Sequence, residues 1–232
     1  MVDSLEIDGR VVSVDTDKAS VLAPVFFPPL PPATDRRQTD IDFTWSTHRP
    51  PGVPDSVEVS IAEVVSAVRQ MRPKAAPGLD DIPVSVLKEN LFIIAPWLAA
   101  IYSASLSLHH FPKSWKTAKV IPLKKPGKSS YSTPRSYRPI SLLSHLGKAL
   151  ERIVNQRLMR QLESRCLLSP HQFGFRAGRQ AVSACLRITE DVYSAFRCGQ
   201  QVQVVALDLQ SAYDTVWRAG LLEKLSALQT VS

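Results

Sequence analysis

Ile61, Val64, Val65, Val68 and Met71 recur at helical spacing on one face. Ser60 and Glu63 are placed ahead of them as a capping box, and Pro73 stands as the stop. A helix is therefore predicted from Ser60. Residues 84 to 108 read as largely helical with an interruption near Pro96. Leu146, Leu150, Ile153, Val154, Leu158 and Leu162 predict another helix, capped by Ser144, and a further one is expected from about Val182 to Phe196 before Gly199 breaks it. The period then changes. Val202 to Leu207 is β-branched and apolar and predicts a strand buried on both faces, ended by Asp208. Tyr213 opens a last predicted helix, with Val216, Leu221, Leu222 and Leu225 as its apolar positions. Between the helices, Trp115, Val120, Ile121, Pro122, Leu123, Tyr137 and Ile140 interleave with basic residues. They predict a hairpin over 118 to 140 with an apolar underside, a basic top and Pro126 to Ser130 as its loop. The sum is an α+β fold, mainly helical.

The first 58 residues hold eight of the eighteen prolines, a density that favours extended, solvated backbone. They read as a linker or lead-in, in which Val21, Leu22, Phe26 and Phe27 could still dock on a neighbour. The remainder, 59 to 232, reads as one domain.

Charge changes the picture next. The net charge is +7, which favours an anionic partner. It is also local. Residues 113 to 150 hold nine basic side chains (Lys113, Lys116, Lys119, Lys124, Lys125, Lys128, Arg135, Arg138, Lys148) and no Asp or Glu, leaving 19 basic against 21 acidic residues elsewhere. That is the footprint of a phosphate-binding surface, or else of a solvated basic loop. No run approaches the roughly 18 apolar residues of a membrane span, and no signal-peptide pattern opens the chain. Cys166, Cys185 and Cys198 lack metal-ligand spacing and read as reduced buried or incidental thiols of an intracellular protein, nuclear or cytoplasmic.

Asp208 is the candidate for chemistry, because a strand-end carboxylate is a rigid place for a metal ligand. The bland reading is a helix cap in some α/β fold. The pair Asp80-Asp81 sits in a turn before a helix and is no substitute for a catalytic pair.

Several stretches together resemble the reverse transcriptases of non-LTR (LINE-type) retrotransposons. Leu-Asp-Leu-Gln-Ser-Ala-Tyr-Asp-Thr-Val-Trp, from Leu207 to Trp217, resembles the family's first catalytic motif. Trp115 to Lys128 and Ser136-Tyr-Arg-Pro-Ile-Ser-Leu-Leu-Ser144, followed by Lys148 and Glu151, resemble its fingers. His171-Gln-Phe-Gly-Phe-Arg-Ala-Gly-Arg179 resembles its Gln-Phe-Gly-Phe-Arg-x-Gly segment. Lys74 to Pro83 is similar to the Lys-x-Pro-Gly-x-Asp signature that opens the domain, with an extra Ala before the Pro and Asp81 where the family usually has Gly. Lys18 to Pro28 is similar to the segment just upstream; the plain linker remains the other reading.

The resemblance implies fingers over about 59 to 199 and the first palm strand and helix over about 200 to 232 of a right-hand polymerase. Asp208 would be catalytic and bind two Mg2+ ions, helped by the Leu209 carbonyl. Such ions lie about 4 Å apart, and several carboxylates bridge them. Lys124 or Lys125, with Arg138, would meet the triphosphate of the incoming dNTP, and Ala212 and Tyr213 would lie at the nucleotide. Lys119, Lys128, Phe173, Gly174, Phe175 and Arg176 would meet nucleic acid; a glycine-rich turn capping the next helix is compatible with the last four. The implied partners are an RNA template, a DNA primer or hybrid, and dNTP, with no membrane.

In the family a Gln-Gly-x-x-x-Ser-Pro segment and an Asp-Asp pair follow, and neither stands in these 232 residues. The expectation is a truncated or degenerate product, or a fragment of a split reading frame, that is inactive alone and would need the C-terminal part of the polymerase. Two alternatives remain: a non-catalytic nucleic-acid-binding remnant of a retroelement, and an unrelated α/β enzyme.

Overall fold

The computed structural model describes residues 2–28, 58–209, 212–213 and 216–229. Among the described residues the strands and α-helices run in the order β1 (Leu5–Ile7), β2 (Arg10–Val12), α1 (Asp15–Phe26), α2 (Ile61–Arg69), α3 (Val84–Glu89), α4 (Leu91–Ser107), α5 (Lys113–Lys116), β3 (Lys119–Lys124), β4 (Tyr137–Leu142), α6 (His145–Ser164), α7 (Ala181–Arg197) and α8 (Arg218–Gln229), with a 3-10 turn at Pro134–Ser136 just ahead of β4. The strands make two separate antiparallel pairs, β1-β2 and β3-β4. The architecture is α+β and mainly helical, as the periodicity predicts. The chain divides into two compact units: Met1–Glu151 with Ser211–Ser232, and Arg152–Gln210.

In the first unit, the N-terminal residues read as lead-in carry real elements. Asp8-Gly9 turns β1 into β2, with both residues at positive φ, the pair that suits a two-residue hairpin. Leu22 and Phe26 of α1 dock with Leu5 against Tyr137 of β4 in one apolar cluster. The Glu6 N–H donates to the Ser132 carbonyl at 2.8 Å, tying β1 to the β3-β4 connection. The proline-rich stretch 29–57 lies outside the described residues.

The capping box forms as read. Ser60 Oγ accepts from the Glu63 N–H, and the Glu63 carboxylate accepts from the Ser60 N–H at 2.9 Å. The helix ends at Arg69, before Pro73 is reached, with Lys88 Nζ donating to the Arg69 carbonyl at 2.8 Å. A cation at a helix C-terminus satisfies an orphan carbonyl and opposes the dipole. Val64, Ala67 and Val68 pack into a core with Val84, Leu87, Leu91, Ala95, Leu98, Ala99 and Tyr102. Each large side chain buried there contributes roughly 1.5–3 kcal/mol. The break expected near Pro96 falls instead at Asn90, between α3 and α4, and Pro96 lies inside α4. Proline deprives the Phe92 carbonyl of its N–H partner, but Phe92 stands on the solvent side, where water can serve that carbonyl.

The Lys74–Pro83 turn has a job that composition does not show. A Cβ on Gly78 would lie 2.6 Å from Ser144 N and 2.7 Å from the Leu143 carbonyl carbon. The turn therefore presses its backbone against the junction of β4 and α6. Ser144 Oγ donates to Asp80 Oδ2 at 2.5 Å and accepts from the Leu146 N–H, so it caps α6 as predicted. Asp81 stands at φ +51, a conformation that glycine reaches without cost.

His145 follows, with its ring buried and neither nitrogen hydrogen-bonded among the described residues. The Ala75 carbonyl and Asp80 favour a charged ring, but burial and the Lys148 charge outweigh them, and its pKa is lowered. The unfolded chain then takes up the proton at higher pH than the folded one. His145 should cost no stability above its ordinary pKa of about 6.5, and stability should fall as pH drops through that value. Urea midpoints measured across pH 7.5 to 5.5 (approximate range) should show this fall, and His145→Asn should lack its share of it.

In the second unit, Arg176 organises the loop between α6 and α7, and α7 runs Ala181–Arg197, close to its predicted span. Here one prediction is overturned. Residues 202–208 form no strand and are exposed: Val204 is 66 %, Val205 69 % and Leu207 90 % accessible. An apolar β-branched run has strand propensity, but a strand exists only with a ladder partner, and no described strand pairs with this one. The last helix likewise begins at Arg218 rather than Tyr213, which lies in a turn. Cys166, Cys185 and Cys198 are free as read, but exposed rather than buried. No helix among the described residues is long and apolar enough to cross a membrane.

Candidate nucleotide and nucleic-acid interface

The basic stretch is built on the β3-β4 ribbon. Its register pairs Lys119 with Leu142, Ile121 with Ile140, Leu123 with Arg138, and Lys124 with Tyr137. Side chains alternate between faces along a strand, and directly paired residues share a face. Lys119, Ile121, Leu123, Arg138 and Ile140 therefore stand on one face. Val120, Pro122, Lys124, Tyr137 and Pro139 stand on the other. The Lys125 N–H donates to the Ser136 carbonyl at 2.8 Å, which carries the alternation one step on and puts Lys125 on the Arg138 face. The expected split into apolar underside and basic top is thus corrected. Tyr137, 2 % exposed, is the buried member, and both faces mix charge with apolar residues because the lysines fall at odd and even positions.

Lys124 and Lys125 consequently meet different surroundings. Lys124 Nζ lies 2.8 and 3.0 Å from the two carboxylate oxygens of Asp3, and 4.8 Å from the centre of the Tyr131 ring. The Asp3 hydrogen bond raises the Lys124 pKa. Lys125 Nζ donates to the neutral Arg135 carbonyl at 2.7 Å, so its charge is not cancelled. Lys119, Lys128 and Arg138 form no ion pair among the described residues.

The Gln-Phe-Gly-Phe-Arg loop belongs to the second unit. Arg176 forks onto Glu163, with Nε to Oε1 at 2.8 Å and Nη2 to Oε2 at 2.5 Å, and Nη1 donates to the Ser169 carbonyl at 2.7 Å. The contact lowers the Glu163 pKa and raises that of Arg176. The guanidinium is thereby a clamp that shapes the loop. Arg179 donates to the Pro170 carbonyl and lies over the Phe173 ring. Gly174 is open to solvent, and Phe175 is 88 % exposed at φ +61. A bulky residue held at positive φ and turned to water is unusual. Phe175 is the more exposed of the two phenylalanines in this loop.

Asp208 and Leu209 sit on the exposed segment after α7, and Ala212 and Tyr213 in the exposed turn that follows. No group of three His, Cys, Asp or Glu side chains that could hold a metal ion occurs among the described residues. A two-ion centre needs several bridging carboxylates, so the described residues do not fit one. Asp3, Tyr131 and Glu163 were not singled out by sequence. Asp3 lies 121 positions from Lys124, and no local pattern marks such a pair.

Residues 123–232 match the family described as reverse transcriptase (RNA-dependent DNA polymerase). A probable RNA-directed DNA polymerase from transposon BS of Drosophila melanogaster is 39% identical over 73% of this chain and 19% of its own length. The chain belongs to the reverse transcriptases of non-LTR retrotransposons. The RNA-directed DNA polymerase of the mobile element jockey from Drosophila funebris is 34% identical over 73% of this chain and 18% of its own. The Pol polyprotein of the type-1 retrotransposable element R1 from Bradysia coprophila is 33% identical over 99% of this chain and 22% of its own. That last match takes in the N-terminal hairpin and α1. The chain thus spans about a fifth of the length of these reverse transcriptase relatives.

Proposed function

We propose that residues 59–199 are the fingers, and 200–232 the first palm segment, of a right-hand RNA-directed DNA polymerase, with 1–58 leading in. The observation that carries this reading is the ribbon face on which Arg138 stands between Lys119 and Lys125, with no acidic residue on either strand. Lysine brings a point charge and arginine a bidentate fork for phosphate oxygens, the donors that a dNTP triphosphate needs. In the working enzyme Asp208 and the Leu209 carbonyl would take part in holding the metal ions, and Ala212 and Tyr213 would lie at the nucleotide sugar. Lys124 remains an alternative triphosphate contact, but the ribbon alternation favours Lys125. Lys119, Lys128, Phe173, Gly174, Phe175 and Arg176 would track the RNA template or the hybrid, Phe175 by stacking and Arg176 by shaping the loop. Reverse transcriptases use divalent metal ions, and Mg2+ would be held only once further carboxylates join Asp208. Residues 202–208 would become a strand when other palm segments pair with them.

The first test is the fingers face. Charge-assisted hydrogen bonds are worth about 1.5–3 kcal/mol, so Arg138→Ala should weaken dNTP binding by about ten- to a hundredfold. Unchanged dNTP binding in Arg138→Ala would sink the assignment. A second reading is a nucleic-acid-binding remnant without catalysis, which the acid-free basic stretch 113–150 would serve equally well. Purified chain with primer, template and Mg2+ should give no extension. Extension that is lost in Asp208→Ala would overturn that expectation and leave only the polymerase reading.

A further inference from the structure

The N-terminal residues Val2 to Leu5 run across the β3-β4 ribbon as a strap, and several bonds fix it there. The Asp3 N–H donates to the Tyr137 hydroxyl at 3.1 Å, and that hydroxyl donates to the Tyr131 carbonyl at 3.1 Å. Lys18, buried beneath, donates from Nζ to the Val2 carbonyl at 3.1 Å and to Asp15 at 3.2 Å. Leu5 is fully buried against Leu22, Phe26 and Tyr137. The backbone on both sides of Asp3 is thus anchored. Its carboxylate rests on an ammonium that is also stacked over an aromatic ring, on the ribbon face opposite Arg138.

A carboxylate with both oxygens near one ammonium occupies the place that two phosphate oxygens would take. The pair is half exposed on both sides. It is therefore weak and screened by salt, and can exchange partners. The stretch 113–150 contains no acid of its own, so Asp3 is a counter-charge brought in from elsewhere. We propose that Lys124 is an anion site distinct from the Arg138 face, filled in the free chain by Asp3 and taken over by a nucleic-acid phosphate when a strand engages the ribbon. The choice of nucleic acid as the incoming anion rests on the function proposed above. Arg138 and Lys125 would then hold one phosphate group while Lys124, across the ribbon, exchanges Asp3 for another.

The test compares the full chain with Asp3→Asn, Lys124→Ala and the double variant, each titrated with a short single-stranded oligonucleotide. Removing the competitor should tighten binding of Asp3→Asn about two- to fivefold at low salt, the range that exposed ion pairs supply. The gain should vanish at high salt and should be absent when Asp3→Asn is added to Lys124→Ala. Equal or weaker binding by Asp3→Asn overturns the proposal. So does a gain that persists without Lys124, because it would reflect net charge alone. If none of the four binds the oligonucleotide, the nucleic-acid reading fails, but the exchange itself can still be read. The Asp3 carboxyl carbon, followed by NMR as inorganic tripolyphosphate is added, should move to its position in Lys124→Ala. A signal that stays fixed while tripolyphosphate shifts the Lys125 side chain would show that Asp3 never yields the site.

Discussion

Replacing Lys119, Lys125, Lys128 and Arg138 together with alanine should flatten the salt dependence of nucleic-acid binding by about three units of logarithmic slope. Each phosphate neutralised releases condensed counterions worth about −0.7 to −0.9 in slope, and four to six contacts give the intact chain roughly −3 to −5. The intact chain should then lose roughly a hundredfold in affinity between about 50 and 200 mM salt, and the variant only a few-fold. The substitutions remove one side-chain hydrogen bond, from Lys125 to the Arg135 carbonyl, but leave the buried Tyr137 in place, and none of the four forms an ion pair among the described residues. Removing four exposed charges elsewhere, Arg10, Arg72, Lys74 and Lys224, lowers net charge equally and should change the slope far less. Equal flattening by both sets would mean that the basic stretch is only a solvated loop. Sequence preference should be weak throughout, because these side chains meet phosphates rather than base edges.

Gly78→Ala should be among the most damaging single changes in the first unit. The added methyl would lie 2.6 Å from Ser144 N and 2.7 Å from the Leu143 carbonyl carbon. Both atoms are backbone, held by the end of β4 on one side and the start of α6 on the other, so neither can swing aside. Overpacking of this kind costs about 1–3 kcal/mol, and more where nothing can shift. The turn would be forced off the junction, the Ser144–Asp80 hydrogen bond would lengthen, and the cap of α6 would weaken with it. Denaturant unfolding should show a large fall in midpoint for Gly78→Ala. Ser144→Ala, which deletes the same hydrogen bond without the clash, should cost only about 1 kcal/mol. Similar midpoints for the two variants would show that the close approach carries no strain.

Much of this arrangement could be read from residue order. The capping box at Ser60 and Glu63, the Ser144 cap and the α7 span are local features, written in neighbouring residues, and they form as read. The Asp8-Gly9 hairpin is equally local, although the proline density of residues 1–58 as a whole reads as a linker. The two faces of the ribbon needed the register, which turns on how β3 meets β4 and shifts every side chain when it slips by one residue. Residues 202–208 show the opposite limit. Val-Gln-Val-Val-Ala-Leu has the composition of a buried strand, but strand formation depends on partners, and composition cannot supply them. The counter-charges Asp3 and Glu163 were invisible for the same reason: each is brought to its cation by the fold.

The most direct measurement uses a deoxynucleoside triphosphate carrying an acyl group on its terminal phosphate, which acylates the amine nearest that phosphate, with the modified lysines located by peptide mapping. The account predicts acylation concentrated on Lys125 and Lys119, the lysines that share the Arg138 face, and suppressed by Arg138→Ala or by excess unmodified dNTP. Acylation spread evenly over Lys74, Lys88, Lys113 and Lys224, and indifferent to Arg138→Ala, would contradict it.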